Sequence, residues 1–357
     1  MHYTFHLNES RIIDLFLFPQ CVNLSTIQSE EFKNSNLSEY APPTLLEEFK
    51  TMEDALKPFE KEIHKFYYER FNIPELLMKK ITLFGYQSAT DYLDALEELD
   101  EMTILQSILT KLYLVIEDTD TVDDETIEKL TKDAHAQINL LDTLEADDQE
   151  KWKLSSLLRH PKATTAQWIA LIKKLEPIFE GFYQSKREDI ENLGHRLVTE
   201  LNDTDGDAFS QLTNGVVHKS VVPSGNILVS FVECVGIQIN VTSSVPYILW
   251  GLEIESFLKH MHKAKESELK ERVNLYKNLG DKTRYEVIRL IAQGVESAKE
   301  IAHTLGVSQP TISYHINNLL ISKVILLERI DNKYVHKVNF DQLEQAYQAM
   351  LKDFGKE

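Results

Sequence analysis

Between Ser308 and Asn317 the chain reads S-Q-P-T-I-S-Y-H-I-N, and its side chains sort into two kinds at helical spacing. Ile312, Ile316, Leu319 and Leu320 return at intervals of three and four, a stripe that must face a core. The other face carries Gln309, Thr311, Ser313, Tyr314, His315 and Asn317, with Ser308 just ahead of it. These are short or planar polar groups that can reach base edges and phosphates, with almost no charge to hold the helix away from an anionic backbone. A helix lying in a major groove reads mainly through its first residues, which singles out Gln309, Thr311 and Ser313 for base contact. Cations that could anchor phosphates lie on both sides: Lys282 and Arg284 before, Arg329, Lys333 and Lys337 after.

The elements that must position these groups are written in capping residues. LGDKTRYEVIRLIAQG predicts a helix with Asp281 as N-cap and Gly294 as its stop. Ser297 and Glu300 form a capping box for a short helix, AKEIAHTLG, ended by Gly306. Ser308 is a further N-cap, with Pro310 in the first turn, where its missing N–H does no harm. Two short helices joined by a glycine-containing turn have the helix-turn-helix pattern. VILLERIDNKYVHKVNF then predicts two strands around an Asp331-Asn332 turn, a hairpin that would serve as a wing.

Together, LGDKTRYEVIRLIAQG, EIAHTLGVSQPTISYHINNL and ERIDNKYVHKV resemble the ArsR family of winged-helix repressors. The resemblance covers about a fifth of the chain and implies a homodimer on double-stranded DNA at an imperfect inverted repeat, with a signal that changes affinity. Metal-sensing members carry a Cys-x-Cys pair in the helix before the turn, where this chain has Ser297 and Lys299. Its last helix, DQLEQAYQAMLKDF, lacks histidine, so neither familiar metal site is available and no cofactor is expected. The signal, a small molecule or a protein, is then expected to enter through the rest of the chain.

That rest is large. At 357 residues the chain predicts two or three units. The fold class is mainly α (α+β): a mostly helical body over 1–254 with a β-rich segment at about 212–254, a connecting and dimerising helix over 255–279, the winged module over 280–345, and a tail over 346–357. Tyr3, Phe5 and Leu7 alternate as an edge strand would. Apolar Leu258, Met261, Leu269, Val273 and Tyr276 mark the connecting helix as a subunit contact.

The net charge of -19 is unevenly placed. Residues 1–265 hold 25 basic against 44 acidic side chains, whereas 266–357 hold 13 of each. Phosphate binding needs a local basic face, so the global sign does not exclude it. Cys21 and Cys234 have no CxxC spacing. The opening residues lack the pattern of a secretory leader, and no run is apolar enough for a membrane span, so a cytoplasmic location is expected. His260 and His262 point to different faces of a helix, and Asp203–Asp207 lacks the glycine and glutamate of a calcium loop. No P-loop, GxGxxG or HExxH occurs, and an enzyme is not expected. The alternative is an interaction protein that uses the winged helix for recruitment or dimerisation.

Overall fold

In the computed structural model, Asn226-Ile-Leu-Val-Ser230 and Tyr247-Ile-Leu-Trp-Gly251 form the two central strands of a four-stranded sheet. Both are near-continuous apolar runs and both are buried almost throughout, as strands covered on two faces must be. The structure describes residues 2–23, 43–68, 71–119, 121–213, 225–240, 245–264, 268–330 and 333–355. For Asn23, Pro43, 260–264, 268–269, Ile330 and Lys333 it describes the backbone alone. The segment VVHKSVVP, the Asp331-Asn332 turn and the side chains of His260, Met261, His262, Leu269 and Lys333 therefore lie outside the described residues.

Strand order is β1-β2-β4-β3, with β1 (Thr4–Phe5), β2 (Asn226–Ser230), β3 (Ile237–Asn240) and β4 (Tyr247–Gly251). β1 and β2 are parallel, as are β2 and β4; β3 and β4 are antiparallel. The strand expected from Tyr3, Phe5 and Leu7 is present at the edge but short, because Leu7 already opens the first helix.

Around the sheet the chain forms α1 (Leu7–Leu17), α2 (Pro43–Leu56), α3 (Glu60–Ile63), α4 (Ile73–Met78), α5 (Ala89–Glu98), α6 (Glu101–Ile116), α7 (Asp124–Lys132), α8 (Ala134–Asp142), α9 (Asp148–Arg159) and α10 (Pro161–Asp203). α5 to α9 each begin with a Ser or Asp side chain accepting a backbone N–H. α10 runs 43 residues and carries Pro177 inside it, a residue that has no N–H to give to the helix ladder. Its Gly194 has no room for a Cβ, which would collide with the Phe5 ring of β1.

α1 is clipped to β2 by buried polar groups. Ser10 accepts from Val229 N at 3.0 Å, while Asp14 accepts from the Ser230 hydroxyl and from Phe231 N at 3.0 Å. Burial pushes the Asp14 carboxyl up to about 7 against the pull of these hydrogen bonds. Cys21 and Cys234 are buried, and burial raises both thiols.

Contacts divide the chain into two units: Tyr3–Val198 with Gly225–Ile254, and Met1–His2 with Thr199–Ser224 and Glu255–Glu357. The second contains α11 (Ala208–Leu212), α12 (Ile254–Ala264, its first residue apart), α13 (Glu268–Gly280), α14 (Lys282–Ala292), α15 (Ala298–Leu305), α16 (Gln309–Ile321), β5 (Ile325–Ile330), β6 (Lys333–Val338) and α17 (Phe340–Asp353). Of the connecting helix expected over 255–279, α12 and α13 cover the described parts, and residues 265–267 lie outside the described residues. The last twelve residues include half of α17, whose Ala346 lies in the core of this unit. The fold is mainly helical, with two small sheets among the described residues. Among the described residues no helix is long and apolar enough to cross a membrane.

Candidate nucleic-acid interface

α14, α15 and α16 close on one apolar core: Val287, Ile288 and Ile291 from the first, Ile301 and Ala302 from the second, Ile312, Ile316 and Leu319 from the third. Leu275 of α13, Val324 and Ile325 at the start of the hairpin and Ala346 of α17 complete it. Each helix begins where the caps were read: Arg284 N donates to Asp281 at 2.9 Å, Glu300 N to Ser297 at 3.2 Å and Thr311 N to Ser308 at 3.3 Å. Gly306 ends α15 at φ +68°, a left-handed conformation that favours glycine, and Val307 N closes back on Ala302 O at 3.1 Å. The turn to α16 is therefore tight and fixed.

With its apolar stripe inward, α16 presents its polar residues outward. Ser308, Thr311, Ser313 and Asn317 are exposed and Gln309 is half-buried. Ser308 and Thr311 pair their hydroxyls at 2.8 Å and hold the helix start. Gln309, Ser313 and Asn317 make no side-chain hydrogen bond among the described residues, so their groups remain available to a ligand. No charged residue occurs between Ser308 and Ser322, and the N-terminal end carries the positive pole of the helix dipole.

Tyr314 and His315 are half-buried neighbours, their rings 5.5 Å apart. His315 has its Nδ1 buried without a partner. Burial lowers its pKa, with Asp281 pulling the other way and Arg284 adding to the fall.

The cations fall into different settings. Lys282 and Lys337 are exposed. Arg284 is turned inward: its Nη1 donates to Asn278 Oδ1, and its side chain retains 18% exposure. Asn278 is itself buried and bonds to Asn274 O at 3.0 Å, so Arg284 ties the start of α14 to α13. Neither Asn278 nor this inward role is signalled locally; an Asn before an N-cap looks like any other polar residue. On the hairpin, Arg329 stands directly across from Tyr334, its guanidinium over that ring. Tyr334 is absent from the sequence-derived site, although the register of a two-residue turn places it opposite Arg329.

A capped helix pair around a glycine turn, an uncharged polar helix face and a two-stranded hairpin define a winged helix-turn-helix, the architecture of DNA-binding transcriptional regulators. The chain belongs to the ArsR family. The profile of "Bacterial regulatory protein, arsR family" matches residues 281–321. The chain is 30% identical over 83 residues to the transcriptional repressor SdpR of Bacillus subtilis (strain 168), covering 23% of this chain and 92% of that protein. It is 28% identical over 81 residues to the arsenical resistance operon repressor of Staphylococcus xylosus, covering 23% of this chain and 78% of that one. The corresponding repressor of Staphylococcus aureus matches to the same extent. These likenesses fall in the C-terminal region and leave the N-terminal region unidentified. No solved structure matches the chain.

Proposed function

We propose that the protein is a dimeric transcriptional repressor that binds an inverted-repeat operator through α16 of each copy, under control of a small-molecule or protein signal received by the N-terminal body. One observation carries this reading: Gln309, Ser313 and Asn317 lie together on a rigidly capped helix with their polar groups unengaged. Ser308 and Thr311 fix the helix start, Tyr314 and His315 flank the reading face, and Lys282, Lys333 and Lys337 anchor phosphates. Arg284 then acts by positioning α14 rather than by touching DNA. Exposed apolar side chains on α13 and α17, Val273 at 57%, Phe340 at 68% and Tyr347 at 48%, support a second copy packing against these helices.

The test is binding of the full-length protein to DNA upstream of its own coding sequence, across a salt series. Specific binding with a slope of several ion equivalents is expected. Replacing Gln309 and Ser313 together by Ala removes two base-edge contacts and is expected to weaken it at least thirty-fold, at about 1–3 kcal/mol for each good pair. Unchanged affinity would remove α16 from the reading role.

A further inference from the structure

The two arginines of the module's candidate set differ in what they touch. Arg284 donates to Asn278. Arg329 makes no hydrogen bond or ion pair among the described residues, and its Nε is buried without an acceptor. What holds it is a ring: the guanidinium carbon lies 5.8 Å from the Tyr334 centroid, and the two residues are cross-strand partners next to the pair that closes the hairpin. A guanidinium over an aromatic face is held by the ring's quadrupole while its in-plane N–H donors stay free for a planar or anionic acceptor. Only the Nε is enclosed, so a ligand oxygen would be met by the terminal Nη donors, which the ring leaves free.

The described neighbours do not compete for it. Glu328, the adjacent acid, alternates to the opposite face of the hairpin. His336 shares the face of Tyr334, and burial lowers its pKa, which disfavours a charged ring there. Arg329 thus stands as a lone, preset cation on that side of the wing's described residues.

We propose that Tyr334 is a positioning residue that presents Arg329 to DNA from the wing. This rests on the DNA-binding reading above and adds to it a residue that acts only through its neighbour. The ring face is what the contact uses, and Tyr334→Phe keeps it.

The experiment measures affinity of the full-length protein for its upstream DNA by fluorescence anisotropy, in a double-mutant cycle. Arg329→Ala is expected to weaken binding about ten-fold and to lower the salt slope by about one. Tyr334→Leu is expected to weaken it about three- to ten-fold, and Tyr334→Phe less than two-fold. Added to Arg329→Ala, Tyr334→Leu is expected to have no further effect. Independent, additive losses would overturn the proposal, as would wild-type affinity in Tyr334→Leu. A second readout needs no DNA: side-chain proton signals of Arg329 should show a ring-current shift that Tyr334→Phe retains and Tyr334→Leu abolishes. Absence of that shift in the wild type would overturn the stacking. Failure of the wild type to bind DNA at low salt would instead overturn the DNA-binding reading, and with it the wing's role, even with the shift intact.

Discussion

The body and the winged module share local helix caps but are closed by different means. In the module every helix start is set by a side chain three residues from the amide it caps. In the body the decisive polar contacts join residues more than two hundred positions apart, as Ser10 to Val229 and Asp14 to Ser230 and Phe231. The module also keeps the unengaged side chains of Ser313 and Asn317 exposed, whereas the body folds Asp14 wholly inside and satisfies it there. A surface meant for a ligand can be assembled from local signals. A unit that must close a sheet from both ends of a long segment cannot.

Substitutions can break this contrast. The largest effect is expected from Leu319→Ala in the fully buried core of the module, about 3 kcal/mol from lost burial and the cavity left behind. All three tryptophans, Trp152, Trp168 and Trp250, lie in the body. Tryptophan fluorescence therefore follows the body alone while circular dichroism follows both units. Leu319→Ala should advance part of the dichroism loss in urea and leave the fluorescence midpoint in place; a joint shift would show that the two units unfold as one.

Asp14→Ala comes next, at about 2 kcal/mol, because it strands the Ser230 hydroxyl and the Phe231 amide in the interior. Here the fluorescence midpoint should move and DNA affinity should hold. The same carboxyl gives the body a pH slope. With its folded pKa at about 7 against an ordinary 3.8, the fold retains a proton that the unfolded chain releases. Its contribution is complete below about pH 4 and is lost as pH rises to 7, so Asp14→Ala should flatten the fluorescence midpoint over that window.

Ser308→Ala removes one cap of α16 and should lower module stability by about 1 kcal/mol, visible in the dichroism alone. The smallest effect expected is the module's own pH response, opposite in sign to that of Asp14. His315 and His336 have pKa values lowered by burial, so the unfolded chain takes up protons first. Their contribution, present above about pH 6.5, is lost as pH falls through the lowered values. Titrating both probes on one sample would show the two slopes cross, or would refute the assignment.

The capped helices, glycine stops, hairpin and short edge strand were legible because each depends on neighbours in sequence or on simple periodicity. The clip of α1 to β2 through Ser10 and Asp14 was not, since its partners lie more than two hundred residues away. The inward turn of Arg284 was hidden for a related reason: a cation near an N-cap looks available until the buried amide that receives it is known. For Arg329 the charge was visible, but the ring beneath it follows only from strand register.

The pairing of Thr4 and Phe5 with Asn226 and Ile227 has a consequence in time as well as space. A ribosome adding about 5–20 residues per second takes roughly ten to forty seconds to pass from the first of these strands to the second. Throughout that interval Tyr3, Ile12, Ile13 and Phe16, all buried in the finished protein, have no sheet to cover them. The nascent segment around α1 is thus a natural client for a holding chaperone, while the winged module, built from short-range parts, can form soon after its residues emerge.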